Sequence, residues 1–157
     1  MLLPLFEWCE ATAIGQTIRE SLWLFPVIES IHLLGLAMIG GALLVVDLRL
    51  LGFALRHQPV AQLARSVHPW LVGSLAVMLT TGISLFLSES IRCYYSPPFW
   101  TKMELLLVAI LFTFTVRRKV ALADEKRVGP IWGRVVAFVS LSLWFGVGFS
   151  GRWIAFY

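Results

Sequence analysis

Residues 23–55 read WLFPVIESIHLLGLAMIGGALLVVDLRLLGFAL, and this stretch decides the fold. Between Ile31 and Val46 no side chain carries a formal charge, and His32 is the only strongly polar one. A helix needs ~20 predominantly apolar residues to span a bilayer. The stretch therefore predicts a membrane-spanning helix, and within it an imidazole that needs a polar partner or a ligand.

The rest of the chain continues this apolar pattern. Of its 157 residues, 59% are hydrophobic and only 14% are charged, whereas soluble domains carry about 25% charged residues. Three further stretches suit a span, so that the predicted spans cover residues 22–46, 69–88, 99–116 and 133–154. We therefore predict an all-α fold with a single integral membrane domain over residues 1–157. It is expected to be a four-helix transmembrane bundle with a short N-terminal interfacial helix.

The basic residues predict the orientation of the bundle. Nine Lys or Arg residues fall on the side that holds the 49–65 and 117–134 connections, and four fall on the other side. Cytoplasmic loops carry an excess of these residues, so we expect a multi-pass protein of the bacterial inner membrane with both termini outside. The lipid bilayer is then one expected partner of the protein. No basic patch with interleaved aromatic residues stands apart from the spans, so we expect no nucleic acid.

Prolines and cysteines mark the connections. Pro59 and Pro69 punctuate the segment between the first two spans, which predicts that the second helix begins near Pro69. Cys9 and Cys93 both fall on the outer side of the predicted bundle. A disulfide between the N-terminal segment and the loop before the third span is open to them, and so are two free thiols.

Polar side chains gather at one depth of the predicted bundle. At ~1.5 Å per residue, His32 lies ~3 Å to the outer side of the first span's midpoint, and Glu29 lies one turn further out on the same face. Each charged group that faced lipid at mid-depth would cost ~2–3 kcal/mol or more. We therefore expect the polar groups of the outer half to face one another or a shared ligand: Glu29, His32, Lys102, Glu104 and Arg152.

Haem b fits this arrangement. An imidazole can ligate haem iron, so His32 is the predicted metal ligand, while Lys102 and Arg152 would pair with the propionates. Glu29 and Glu104 would set the local charge. Glycines in the first, second and fourth helices would leave room for a macrocycle, although they also let helices approach closely. A hydrogen bond to a neighbouring helix is the simpler explanation of His32.

The remaining polar groups of the spans suggest other roles. His57 is expected to be solvated. His68 lies ~15 Å from the bilayer centre on the opposite side from His32, so the two are not expected to share one iron. Met78 is close to the depth of His32 and is either a sixth ligand or a packing residue. Asp47 and Arg49 are expected at the inner surface, solvated, paired, or part of a cytoplasmic pocket.

Several motifs together resemble known families. The segments IHLLGLAMIGGALLVVDLRLLG, TTGISLF, FWTKMELLL and GRWIAF resemble a family of small bacterial four-helix membrane proteins of unknown function. More distantly, the chain is similar to HemJ-type protoporphyrinogen oxidases, which bind haem b, and to the membrane domain of CopD-type copper-resistance proteins. The HemJ-type resemblance is carried by His32, Gly41, Leu48-Arg49-Leu50, Trp100 and Lys102. It implies that His32 is an axial haem ligand and that Lys102 is a second site residue.

Four functions remain open at this point. The first is a haem-b protein of electron transfer or redox chemistry, with an extracytoplasmic or membrane redox partner. The second is a protein that handles copper or another metal through His32 with Met38 or Met78. The third is a non-catalytic membrane anchor subunit of a larger complex, and the fourth is an oxidase of porphyrinogens. Whether the protein is an enzyme, and whether it forms a homo-oligomer, are both left open.

Overall fold

The computed structural model describes residues 2–123 and 125–156, except for the side chain of residue 125. Within these residues every regular element is helical, which confirms the predicted all-α class. A π-helical segment, Thr113–Arg117, joins α6 to α7, and a 3₁₀ turn, Ile154–Phe156, follows α9. The α-helices are α1 (Leu3–Glu10), α2 (Ala13–Glu20), α3 (Leu24–Leu51), α4 (Val60–Ser88), α5 (Ser90–Tyr95), α6 (Pro97–Phe112), α7 (Arg118–Leu122), α8 (Glu125–Val128) and α9 (Pro130–Trp153).

Three of the described helical segments are long and apolar enough to cross a membrane. They are Leu24–Leu51, Val60–Ser88 and Pro130–Phe156, with mean hydropathies of 2.1, 1.9 and 1.5. The chain is therefore compatible with a multi-pass membrane protein. The remaining predicted span falls on α6, whose 16 residues continue directly into the π-helical segment and α7.

The ends of α3 and α4 follow from glycine and proline chemistry. Gly52 ends α3 with a φ of 82°, a conformation that glycine adopts without steric cost. The prediction that the second helix begins near Pro69 was wrong, because α4 begins at Val60 and contains Pro69. Proline removes one backbone donor from a helix, and a long membrane helix accommodates that loss through its neighbours.

The long helices pack around a shared apolar core. Helix α3 packs against both α4 and α9, and α9 also packs against α6. The core between them contains Ile39, Leu43, Met78, Ala109, Trp144 and Val147, each exposed by 8% or less. This arrangement brings the N-terminal halves of α3 and α6 to the same end of the bundle as the C-terminal halves of α4 and α9.

The N-terminal segment folds over that same end. It forms two short helices rather than the single predicted one, because the Thr12 hydroxyl accepts a hydrogen bond from the Gly15 N–H and so begins a new helix. Glu10 forms an ion pair with Arg19 and accepts the Ile91 N–H at 2.7 Å. A Cβ at Gly15 would collide with the carbonyl of Leu87, so α2 lies directly against α4.

Candidate functional site

A large cavity opens between the four long helical segments at the end covered by the N-terminal helices. Its volume is about 680 Å³, within the ~300–1,000 Å³ that is usual for ligand pockets. Its wall is mostly apolar. Four of the five residues that the sequence singles out line this outer cavity: Glu29, His32, Lys102 and Arg152.

Glu104 is the predicted site residue that the structure does not bring to the outer cavity. It is exposed and does not line the wall. Lys102 and Glu104 are two residues apart on α6, which places them ~200° apart around the helix axis. Only one of the two can face a common cavity, and that one is Lys102.

The hydrogen bond of His32 favours Nδ1 as the ring nitrogen that carries the proton. Its Nδ1 lies 2.8 Å from the Thr81 hydroxyl oxygen, and that oxygen lies 2.6 Å from the carbonyl oxygen of Val77. A hydroxyl has one proton, and Thr81 donates it to Val77. Thr81 therefore accepts from Nδ1–H, which leaves the Nε2 lone pair of the neutral ring available. Thr81 is the side chain hydrogen-bonded to the ring, and the backbone of Met78 also interacts with the imidazole.

Gly82 provides the space in which the imidazole lies. A Cβ added at this residue would be 3.2 Å from Cε1 of His32, closer than ordinary van der Waals contact. The sequence TTG at 80–82 thus contributes both a hydrogen-bond acceptor and the room for the ring. Thr81 was missed by sequence reasoning, and its signal was a hydroxyl in the second span at a depth similar to that of His32.

Two cations line the outer cavity without a fixed partner. Lys102 is half-buried and lies across Gly151, with Nζ 3.5 Å from the position of a Cβ there. Arg152 is exposed at the cavity edge. Within residues 2–123 and 125–156, neither side chain forms an ion pair or a hydrogen bond. The same holds for the exposed carboxylate of Glu29, so these charges are available to a ligand.

The segment around α5 lines part of the outer cavity. Arg92 pairs with Glu89 at 3.2 Å and donates to the carbonyl oxygen of Ala155, which connects α5 to the 3₁₀ turn after α9. Cys93 also lines the cavity, and burial, with a smaller contribution from the Glu89 carboxylate, raises its pKa to about 11. It is therefore a neutral thiol near pH 7. Cys9 and Cys93 are both free in this structure.

Of the other Met and His side chains that could ligate a metal, only some lie near His32. Met78 is buried and lines the outer cavity beside His32, whereas Met38 is 44% exposed and does not line it. His57 is exposed in the connection after α3, and His68 packs against Phe114 at the opposite end of the bundle. Among the described residues, no group of three or more His, Cys, Asp or Glu side chains could hold a metal ion.

A second polar cluster lies buried at the opposite end of the bundle. Asp47 is fully buried, and its carboxylate accepts from Arg117 Nε at 2.7 Å and from the Ser140 hydroxyl at 2.6 Å. Arg117 also donates to the carbonyl oxygen of Leu43 at 3.2 Å. Asp47 is thus paired rather than solvated. Arg49 instead donates to the carbonyl oxygen of Gln58 at 2.7 Å. The sequence signal for the pair was two opposite charges at one predicted depth.

One comparison with known proteins gives a match. A family model described as a family of unknown function (DUF6644) matches residues 5–157. No curated protein and no solved structure matches the chain. The match spans the residues of the outer cavity and of the buried ion pair, but it carries no activity with it.

Proposed function

Because the chain belongs to the DUF6644 family, whose function is unknown, its role has to be inferred from its own residues, and we propose that it binds haem b. We infer a bacterial inner-membrane protein of electron transfer or redox chemistry. The observation that carries this proposal is the available Nε2 of His32 in the wall of a cavity of about 680 Å³. Bound haem would supply one-electron redox chemistry at its iron.

The proposed membrane arrangement has four spans. Residues 97–122 form one continuous helical run of ~39 Å, longer than the ~30 Å hydrocarbon core, so α6 and α7 together provide the fourth crossing. Nine of the thirteen Lys and Arg residues then lie on the cytoplasmic side, and both termini lie outside. Helices α1 and α2 rest at the outer surface, above the mouth of the outer cavity.

Each residue of the outer cavity has a distinct part in this proposal. His32 would hold the group through Nε2, and Thr81 would keep the ring in the required tautomer and orientation. Lys102 and Arg152 would pair with the carboxylates of the propionates. The apolar wall would keep water from the iron. Glu29 would moderate the positive charge, whereas Glu104 has no part, because it lies outside the cavity.

Copper handling is the second candidate, and one observation favours it. His32 and Met78 line the same cavity, and thioether and imidazole ligands suit Cu(I). A non-catalytic anchor subunit is the third candidate and needs no cofactor. The porphyrinogen oxidase activity implied by the HemJ-type resemblance is a finer form of the haem proposal, and rescue of a strain that lacks its own oxidase would test it.

An absorption spectrum tests the haem proposal directly. The protein should be purified in detergent from haem-replete cells and measured oxidised and then reduced. We expect a Soret band in the wild type and in His68→Ala, the matched control at the other end of the bundle, and none in His32→Ala. A wild-type protein without a Soret band would reject haem. Copper in its metal analysis would then support the second candidate.

A further inference from the structure

A second cavity lies at the opposite end of the bundle, next to the buried ion pair. Its volume is about 130 Å³, and it lies between the first half of α4 and the run from the π-helical segment to α7. Among the side chains that the structure describes, no carboxylate lines this inner cavity. Its polar wall is formed by Arg65, His68, Thr113, Arg117 and Arg118.

Arg117 presents a buried guanidinium to the inner cavity. Its side chain is only 5% exposed. Nε donates to Asp47 and Nη2 donates to Leu43, whereas Nη1 has no acceptor among the residues that the structure describes. Since a guanidinium has five N–H donors, part of this buried group remains available to an oxygen ligand in the cavity.

Two further arginines leave the inner cavity with uncompensated positive charge. Asp47 balances Arg117, but Arg65 and Arg118 form no ion pair within the described part of the chain. Guanidinium groups match the geometry of phosphate oxygens, which accept paired, charge-assisted hydrogen bonds. Arg65 and Arg118 are exposed, so their guanidinium groups can turn toward a bound group. A positive-inside bias alone explains basic residues on this side of the membrane, but not why three of them line one cavity to which the described residues contribute no carboxylate.

We propose that the inner cavity binds a phosphate group, and that the phosphate belongs to an anionic phospholipid. The wall beside the arginines is apolar, with Leu71, Phe114 and Leu122, which suits the part of a lipid below its headgroup. Basic pockets between membrane helices on the cytoplasmic side are suited to anionic headgroups. The proposal does not depend on haem, and only its assignment to the cytoplasmic leaflet uses the proposed orientation.

The test measures the thermal midpoint of the full-length protein in neutral detergent. Phosphatidylglycerol should raise the midpoint in a saturable way, and phosphatidylcholine should not. The cavity variant, Arg65→Gln with Arg118→Gln, should need about tenfold more phosphatidylglycerol than the control variant for half the rise. The control, Lys119→Gln with Arg134→Gln, removes the same charge from exposed residues outside the cavity. Arg117 is left intact because its loss would leave Asp47 unpaired.

Each outcome bears on the proposal. Equal lipid dependence of the two double variants would overturn the site, because general attraction to basic residues would then explain any rise. A rise with inorganic phosphate that the cavity variant loses would retain the phosphate site but overturn the lipid as its source. The absence of a rise with both probes would overturn the proposal entirely.

Discussion

His32 and Asp47 lie about four turns apart on helix α3, and their surroundings in the structure are opposite in kind. At Asp47, both carboxylate oxygens are hydrogen-bonded, and no surface is exposed. At His32, one ring nitrogen is hydrogen-bonded to Thr81, and the residue lines a large cavity. A buried polar group whose hydrogen bonds are all made within the protein needs no ligand to explain it. One that the protein satisfies by half, beside a large cavity, is a candidate for binding a ligand.

The largest effect should come from removing Asp47 from its buried ion pair. Asp47→Ala leaves Arg117 buried without its counter-charge, which should lower the free energy of unfolding by ~3–5 kcal/mol. Denaturant titration in detergent micelles would measure this loss. The double variant Asp47→Ala with Arg117→Met should recover most of it, since neither charge is then buried alone. A loss within ~0.5 kcal/mol in the single variant would contradict this account of Asp47.

The next largest effect should come from removing the hydrogen-bond partner of His32. Thr81→Val removes the acceptor for Nδ1–H of His32, and loss of such a supporting contact lowers metal affinity about 10–100-fold. Titration of haem into the cofactor-free protein would measure this change. Thr80→Val is the matched control, because the Thr80 hydroxyl is exposed and bonds only to its own helix at Ala76. Equal affinities in the two variants would remove Thr81 from the site.

A third effect should come from a buried hydrogen bond that is separate from the Asp47–Arg117 ion pair. Thr113 is 2% exposed and accepts the indole N–H of Trp144 at 3.0 Å. Thr113→Val leaves that donor buried without a partner, at a cost of ~1–3 kcal/mol in the free energy of unfolding. Thr115→Val, two residues along at an exposed position, should cost much less. If both variants unfold alike, the hydrogen bond to Trp144 contributes nothing.

The smallest effect should be a fall in haem affinity without a loss of helix stability. Gly82→Ala would push a methyl group against His32, and an off-rotamer side chain costs ~0.5–1.5 kcal/mol, so haem affinity should fall by about tenfold or less. The helix itself should not weaken, because alanine favours a helix more than glycine does. Gly73→Ala on the same helix meets no atom within 4 Å and should leave haem affinity unchanged. A fall of equal size in both variants would contradict the role of Gly82.

Depth along the helices could be predicted from the sequence, and rotation about them could not. Counting residues placed Glu29, His32, Lys102 and Arg152 at one level, and the structure finds all four around one cavity. Rotation depends on how side chains pack between helices, which hydropathy alone does not specify. For Glu104, however, a spacing of two residues from Lys102 already placed it on the other face.

The pairing of specific side chains was the least predictable part. Asp47 and Arg117 are 70 residues apart, and nothing in the local sequence around either residue identifies the other as its partner. The start of α4 differs from the predicted one for a different reason, because a proline predicts a helix boundary but a long helix can contain Pro69. In both cases tertiary contacts outweighed local sequence signals.

The π-helical segment at Thr113–Arg117 constrains the length of the chain between the two polar regions. Lys102 must reach the outer cavity and Arg117 must reach Asp47, both from one uninterrupted helical run. Deleting one residue in the α-helical part of the run, between residues 103 and 112, would rotate everything after it by ~100°, and Arg117 would turn away from its carboxylate. Insertions and deletions should therefore be tolerated in the 53–59 connection but not between residues 103 and 112.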